Sequence, residues 1–179
     1  GEASFILGPH PSTLTLTAST RVAVTWGAIP TITLTETTLT NTTYNNAPCT
    51  GSGSRSCVQQ PSPALNTAYL DNLSSHFLYR LAYRNTGTQA VPQESLLANI
   101  TVRGATTARG ALRWYEFRNA GNSTATPTIF QQSTFDPDST YRWMGSIAMD
   151  KDLNIGLGYS KSSTAVKPSI WITGRLATD

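Results

Sequence analysis

Few residues in this chain are of a type and spacing that could do chemistry. A glycosidase needs two carboxylates roughly 5–10 Å apart. The acidic candidates are Asp71, Glu94, Glu116, Asp136, Asp138, Asp150 and Asp152. Asp136-Pro137-Asp138-Ser139 reads as a turn, because Asp and Pro favour turn positions. Glu116 differs from the rest, since it alternates with Trp114 and Arg118 along one strand face. Arg118 would there give it an ordinary same-face ion pair. Gripping a ligand carboxylate takes arginines that donate in pairs. Arg80 and Arg84 are two pleat periods apart and are expected on one face. Arg142, followed by Trp143, opens the matching strand of a second unit. Arg80, Arg84, Glu116, Arg142 and Trp143 are therefore the candidate ligand-binding residues, and none is assigned a catalytic role. The plainer expectation is that these arginines stack on neighbouring Tyr and Trp rings.

Other chemistries are poorly represented. The alternating oxygens of Asp150, Asp152 and Asn154 begin as a calcium loop does. Ile155 and Lys161 then stand where such a loop needs Gly and Glu, so a hairpin turn is expected and no metal or other cofactor is called for. Only His10 and His76 are available as bases, and no Gly-x-Ser-x-Gly or His-Glu-x-x-His motif occurs. Trp26, Trp114, Trp143 and Trp171 could stack on sugars or fill a core.

The elements that must position these residues are strands. Of 179 residues, 39% are hydrophobic and only 13% charged, about half the usual charged share. The net charge of +3 is spread thinly, with three lysines and no basic run, which argues against nucleic acid as a partner. No stretch approaches the ~18 apolar residues of a helical membrane span. Period-two alternation marks Leu14–Thr17, Val22–Trp26 and Ile32–Thr35. It resumes over His76–Arg84, Leu96–Val102, Ala111–Phe117 and Thr128–Gln132, and again over Arg142–Met149, Ile155–Ser160 and Ser169–Thr173. Between the first and second groups the pattern dissolves into Pro, Gly and Ser. Cys49 and Cys57 lie there with seven residues between them, which reads as a local disulfide staple and implies an oxidising compartment. Four Asn-x-Ser/Thr sites, at Asn41, Asn72, Asn99 and Asn122, add weak support for surface exposure.

The two later groups resemble each other. Tyr79-Arg80 recurs as Tyr141-Arg142, 62 residues on, and Trp114 and Arg118 recur as Trp171 and Arg175, 57 residues on. A repeat of about 60 residues with four strands per unit predicts all-β, antiparallel four-stranded blades of a β-propeller, the alternative being a β-sandwich. The expected organisation is N-terminal strands over 1–36, a disulfide-stapled excursion over 37–70, one blade over 71–134, and a second over 135–179 that lacks its last strand. About three blades fall short of the four to eight of a closed ring. The remainder of a larger chain, or other subunits, is then expected to complete it.

Several strings are similar to a family of large secreted bacterial proteins, uncharacterised and associated with sialidase-like propellers. They are Arg80–Asn85, Leu112–Glu116, Tyr141–Asp150, Leu157–Ser160 and Thr173–Ala177. The likeness spans about residues 49–179. It implies a secreted or cell-surface location and a propeller fold, with no established activity. Relatives usually carry Gly where this chain has Leu153, so the hairpin there is expected to use a different turn. The sialidase turn Ser-x-Asp-x-Gly-x-Thr-Trp is absent. Three functions follow as expectations. The first is an extracellular non-catalytic binding or structural module, for carbohydrate or protein. The second is a sialidase- or glycoside-hydrolase-like fragment, and the third a surface or filament assembly subunit.

Overall fold

A computed structural model describes residues 4–10, 12–49, 55–61, 69–88, 91–105, 109–119 and 126–179. The sequon at Asn122 and most of the Gly/Ser run between the cysteines lie outside these residues. Among the described residues every regular element is a β-strand, and all pairing between named strands is antiparallel. Among the described residues no helix is long and apolar enough to cross a membrane.

The strands form three sheets and a short ribbon. β1 (Ser4–Pro9), β2 (Leu16–Thr25) and β3 (Thr31–Thr40) make an N-terminal sheet. β4 (Ser56–Val58) and β5 (Leu70–Asp71) make the ribbon. β6 (Leu78–Asn85), β7 (Glu94–Arg103), β8 (Gly110–Arg118) and β9 (Thr128–Phe135) follow as a four-stranded meander. β10 (Tyr141–Met149), β11 (Ile155–Ser162) and β12 (Ser169–Arg175) close the chain as a three-stranded one. The strands expected at Leu14–Thr17 and Val22–Trp26 merge into one strand, β2, which starts only at Leu16 and leaves Leu14 and Thr15 in the preceding turn. β1, β4 and β5 had no clear alternation and were not foreseen. β3 continues to Thr40, beyond the expected end of the N-terminal strands at residue 36.

The meander is the middle layer, and its central strands β7 and β8 are buried along both faces for that reason. Ala98, Ile100, Val102, Tyr115 and Phe117 face the N-terminal sheet, where Phe5, Leu7 and Leu39 meet them. Leu97 and Leu112 face the other way, onto Ile147, Met149, Leu157 and Tyr159 of the C-terminal sheet. Arg113 ties the first contact. It is buried, lies over the Tyr44 and Tyr115 rings, and donates to the Tyr115 hydroxyl and to Thr42. Burial pushes the Tyr115 phenol up to about 12, against the opposing influence of Arg113.

Two bulges break the pleat. In β6, Leu78 opposes Asn99 and Ala82 opposes Leu97, so the three residues between them face the single Ala98, with Tyr79 and Arg80 at φ 26° and 36°. In β10, pairing jumps from Trp143–Ser160 to Ser146–Gly158, with Met144 at φ 53°. The extra residue reverses the alternation. Arg142 thereby shares the inner face with Ile147 and Met149, while Tyr141 and Trp143 turn outward beneath Val58 of the ribbon.

The ribbon is held by the Cys49–Cys57 disulfide, with Cα atoms 5.5 Å apart. The Asn72 amide donates to the Arg55 carbonyl at 2.7 Å beside it. Closing so short a loop stabilises by about 2–2.5 kcal/mol in the chain-entropy account. Reduction is therefore expected to lower stability by that amount and to release the ribbon from Trp143. A red shift in tryptophan emission on adding dithiothreitol, before global unfolding, is the check. An unchanged spectrum would place the ribbon's hold elsewhere.

Three of the four sequons, those among the described residues, do not mark surface. Asn41, Asn72 and Asn99 are all buried. Asn41 accepts from the Thr17 hydroxyl and donates to the Leu14 carbonyl, which fixes the exit of β3. These asparagines are structural joints in the fold, correcting the expectation of exposure.

Candidate ligand cleft

One face of β8 runs Leu112, Trp114, Glu116, Arg118. Leu112 is sealed between the middle and C-terminal sheets. Farther along the strand polar side chains take over, and a cleft opens. Glu116 stands at its base with 0% exposure. Its Oε1 accepts from the Ser95 hydroxyl at 2.7 Å and from Arg118 Nε at 2.7 Å, and its Oε2 accepts from Gln131 Nε2 at 2.5 Å. The register supplies these donors, because Leu97 and Gln131 flank Glu116 while Ser95 lies opposite Arg118. The Arg118 ion pair is the one expected from the spacing.

A slip in the β8–β9 register, from Glu116–Gln131 to Phe117–Ile129, leaves Phe130 unpaired in the ladder and exposed. Its ring lies under the Arg118 guanidinium at 3.3 Å. Glu116, Arg118, Phe130, Gln131, Leu153, Arg175 and Ala177 enclose a cleft of about 470 Å³. Arg175 also borders an adjoining, more apolar hollow of about 230 Å³ lined by Trp114, Phe135 and Ile147. Its guanidinium sits 5.9 Å from the Trp114 ring centroid and donates to the Asp179 carbonyl. Arg84 belongs to the same face as Ser95, since the two are direct cross-strand partners. Its Nε is buried without a hydrogen-bond partner. Arginine thus outnumbers the one carboxylate here, and two aromatic rings flank the opening.

The five candidate residues do not gather at one place. Arg84 and Glu116 share this face, linked through Ser95. Arg80 does not join them. The period-two count that put Arg80 with Arg84 fails across the β6 bulge, which turns Arg80 to solvent beside the Tyr79 ring. Arg142 is nearly fully buried, donates to Asp138 Oδ2 at 2.6 Å, and lies against the Phe135 and Tyr159 rings. Trp143 sits on the opposite face of the same strand, under the ribbon. Arg175 and Phe130 were not foreseen as site residues. The recurrence of Trp114 and Arg118 as Trp171 and Arg175 was the available signal for Arg175.

The oxygens of Asp150 are engaged in the hairpin turn. Oδ1 accepts from the backbone N–H of Asp152 and Asn154, and Oδ2 from the Asn154 amide at 2.9 Å. These bonds, the Asn154 amide first, hold the Asp150 carboxyl below the usual carboxylate range. Leu153 sits at φ 68°, the left-handed region where Gly pays no Cβ penalty. Among the described residues no group of three or more His, Cys, Asp or Glu is placed to hold a metal ion.

No protein-family model, curated protein or solved structure matches this chain.

Proposed function

We propose that the chain is an extracellular binding module of a larger propeller-like protein, and that its cleft takes an anionic, carbohydrate-sized ligand. The carrying observation is the state of Glu116. Both its oxygens already accept hydrogen bonds inside the protein, while Arg118 and Arg175 present cationic edges beside Phe130 and Trp114. A hydrolytic site of the glycosidase kind asks for two carboxylates across the scissile bond. Among the described residues lining the cleft, Glu116 is the only one. Guanidinium forks match a ligand carboxylate, and aromatic faces suit the apolar side of a sugar ring.

The blade reading draws support from three features. The sheets stack face to face, the middle one is a four-stranded meander, and the first strands β6 and β10 both carry a bulge. The disulfide is consistent with an oxidising compartment, and with secretion.

Calorimetric titration with glucuronate against glucose tests the binding site. The acid is expected to bind and the neutral sugar not. Arg118→Ala should weaken the acid about 10- to 100-fold, the worth of one charge-assisted hydrogen bond. Equal affinity for both sugars would refute the anionic site. Turnover of an aryl glycoside by the purified chain would favour the hydrolase reading instead.

A further inference from the structure

The three-layer stack leaves one bare sheet face at each end. At the C-terminal end, Ile170 and Ile172 are 90% and 78% exposed on the outer face of β12. Beside them, by register, lie Gly158 and Gly156 on β11, and Ala148 on β10 next to Gly156. A Cβ on Gly156 would meet no atom within 4 Å, and one on Gly158 nothing nearer than 3.9 Å. Neither glycine has a left-handed φ. Nothing among the described residues requires these strand-interior glycines, which weaken a strand and often mark close approach of another backbone. At the N-terminal end, Ile6, Ile32 and Leu34 are exposed, with Val22 paired to Leu34 and Val24 to Ile32. One end is therefore a flat floor and the other a ridge of branched side chains. They are the two ends of one stack, because their inner faces pack on opposite faces of the middle sheet.

We propose that a second copy of this chain docks head to tail, the Ile32/Leu34 ridge of one copy seated on the Gly156/Gly158 floor of the other. Area favours two copies closing on each other. Three strands of seven to ten residues make a face of about 400 Å² at ~3.3 Å rise and ~4.8 Å spacing. One such contact buries about 800 Å² in total, the scale of adventitious packing. A closed pair makes the contact twice and buries about 1,600 Å², the standard size for a stable complex. It also joins six sheets, within the four to eight of a ring. The contact stands on the two faces, whereas the closure rests on the blade reading.

The test is the oligomeric state of the chain by sedimentation at about 100 µM, where a micromolar contact would be populated. A dimer is expected. Ile172→Asp and Leu34→Asp each place a charge on one exposed face and should each give a folded monomer by circular dichroism. Mixing the two variants restores only one of the two contacts, about 800 Å² in total, so the mixture should associate far more weakly than the parent chain. Gly156→Phe adds apolar surface yet should also give a monomer, since the floor is filled. A dimer that survives in either charged variant, or a monomeric parent chain, overturns the proposal. A ladder of higher species retains the head-to-tail contact and refutes the closed six-sheet ring, and with it the blade reading.

Discussion

Replacing Asp138 by alanine is expected to lower stability by about 3 kcal/mol and the midpoint of thermal unfolding by roughly 6–12 °C. The reason lies in Arg142. Its side chain is among the largest fully buried ones, between the Phe135 and Tyr159 rings. Its charge is balanced by the Asp138 carboxylate at 2.6 Å, with the Asp138 and Thr140 carbonyls as weaker acceptors. Removing the carboxylate strands a guanidinium inside the protein, and Lys161, 3.5 Å from the same oxygen, loses its partner as well. The figure sits at the low end for breaking a buried pair because the Asp138 side chain is 46% exposed. The hydrogen bond from Arg142, before any other cause, holds the Asp138 carboxyl well below the usual carboxylate range. A depressed folded-state pKa gives stability that is present above the unfolded value, about 4, and lost as pH falls through the folded one. Acid unfolding of the parent should therefore steepen below about pH 4, and Asp138→Asn should flatten that limb. A loss under about 1 kcal/mol in urea titrations would mean that the carbonyls alone suffice for Arg142.

The second large effect belongs to Gly145. It lies in the β10 bulge, against Asn99 and Leu112 of the middle sheet. A Cβ there would stand 2.2 Å from Asn99 Oδ1, 2.9 Å from its Cγ and 3.1 Å from a Leu112 methyl. Asn99 is fully buried, so its side chain cannot swing into solvent. Gly145→Val is expected to cost about 3 kcal/mol, as overpacking of a close-packed contact does, with Gly145→Ala intermediate. The denaturant midpoint should fall while its slope is kept. A neutral alanine variant would show that the two sheets can separate by a few tenths of an ångström without penalty.

The sequence spoke clearly where alternation was strong. The strands of the meander and of the C-terminal sheet were found within a few residues, because their apolar and small polar residues follow the pleat. The short ribbon strands were not, since two or three residues carry no period. The bulges were also invisible. Tyr79, Arg80 and Met144 occupy the positive-φ positions where sequence reading looks for Gly. That is why Arg80 parts from Arg84, and why Arg142 and Trp143 face opposite ways. From sequence, Glu116 and Arg142 are ligand-binding candidates and, more plainly, an ordinary ion-pair partner and a ring-stacking arginine. Their types say charge, and only the packing of Ser95, Gln131 and Asp138 around them shows where that charge is spent. The Asp150 hairpin was readable from its Asx pattern. Leu153 there keeps a strained backbone while packing its side chain toward the inter-sheet core.

The inward asparagines set a limit on how this polypeptide can be produced. Enzymes of the eukaryotic secretory route attach oligosaccharide to Asn-x-Ser/Thr on chains that have not yet folded. A glycan would be carried on the Asn99 amide nitrogen, which is fully buried and directed at the Leu78 carbonyl 3.5 Å away, with no room for a sugar. A host that performs that modification would yield molecules unable to close their layers, whereas one lacking it leaves the joints intact.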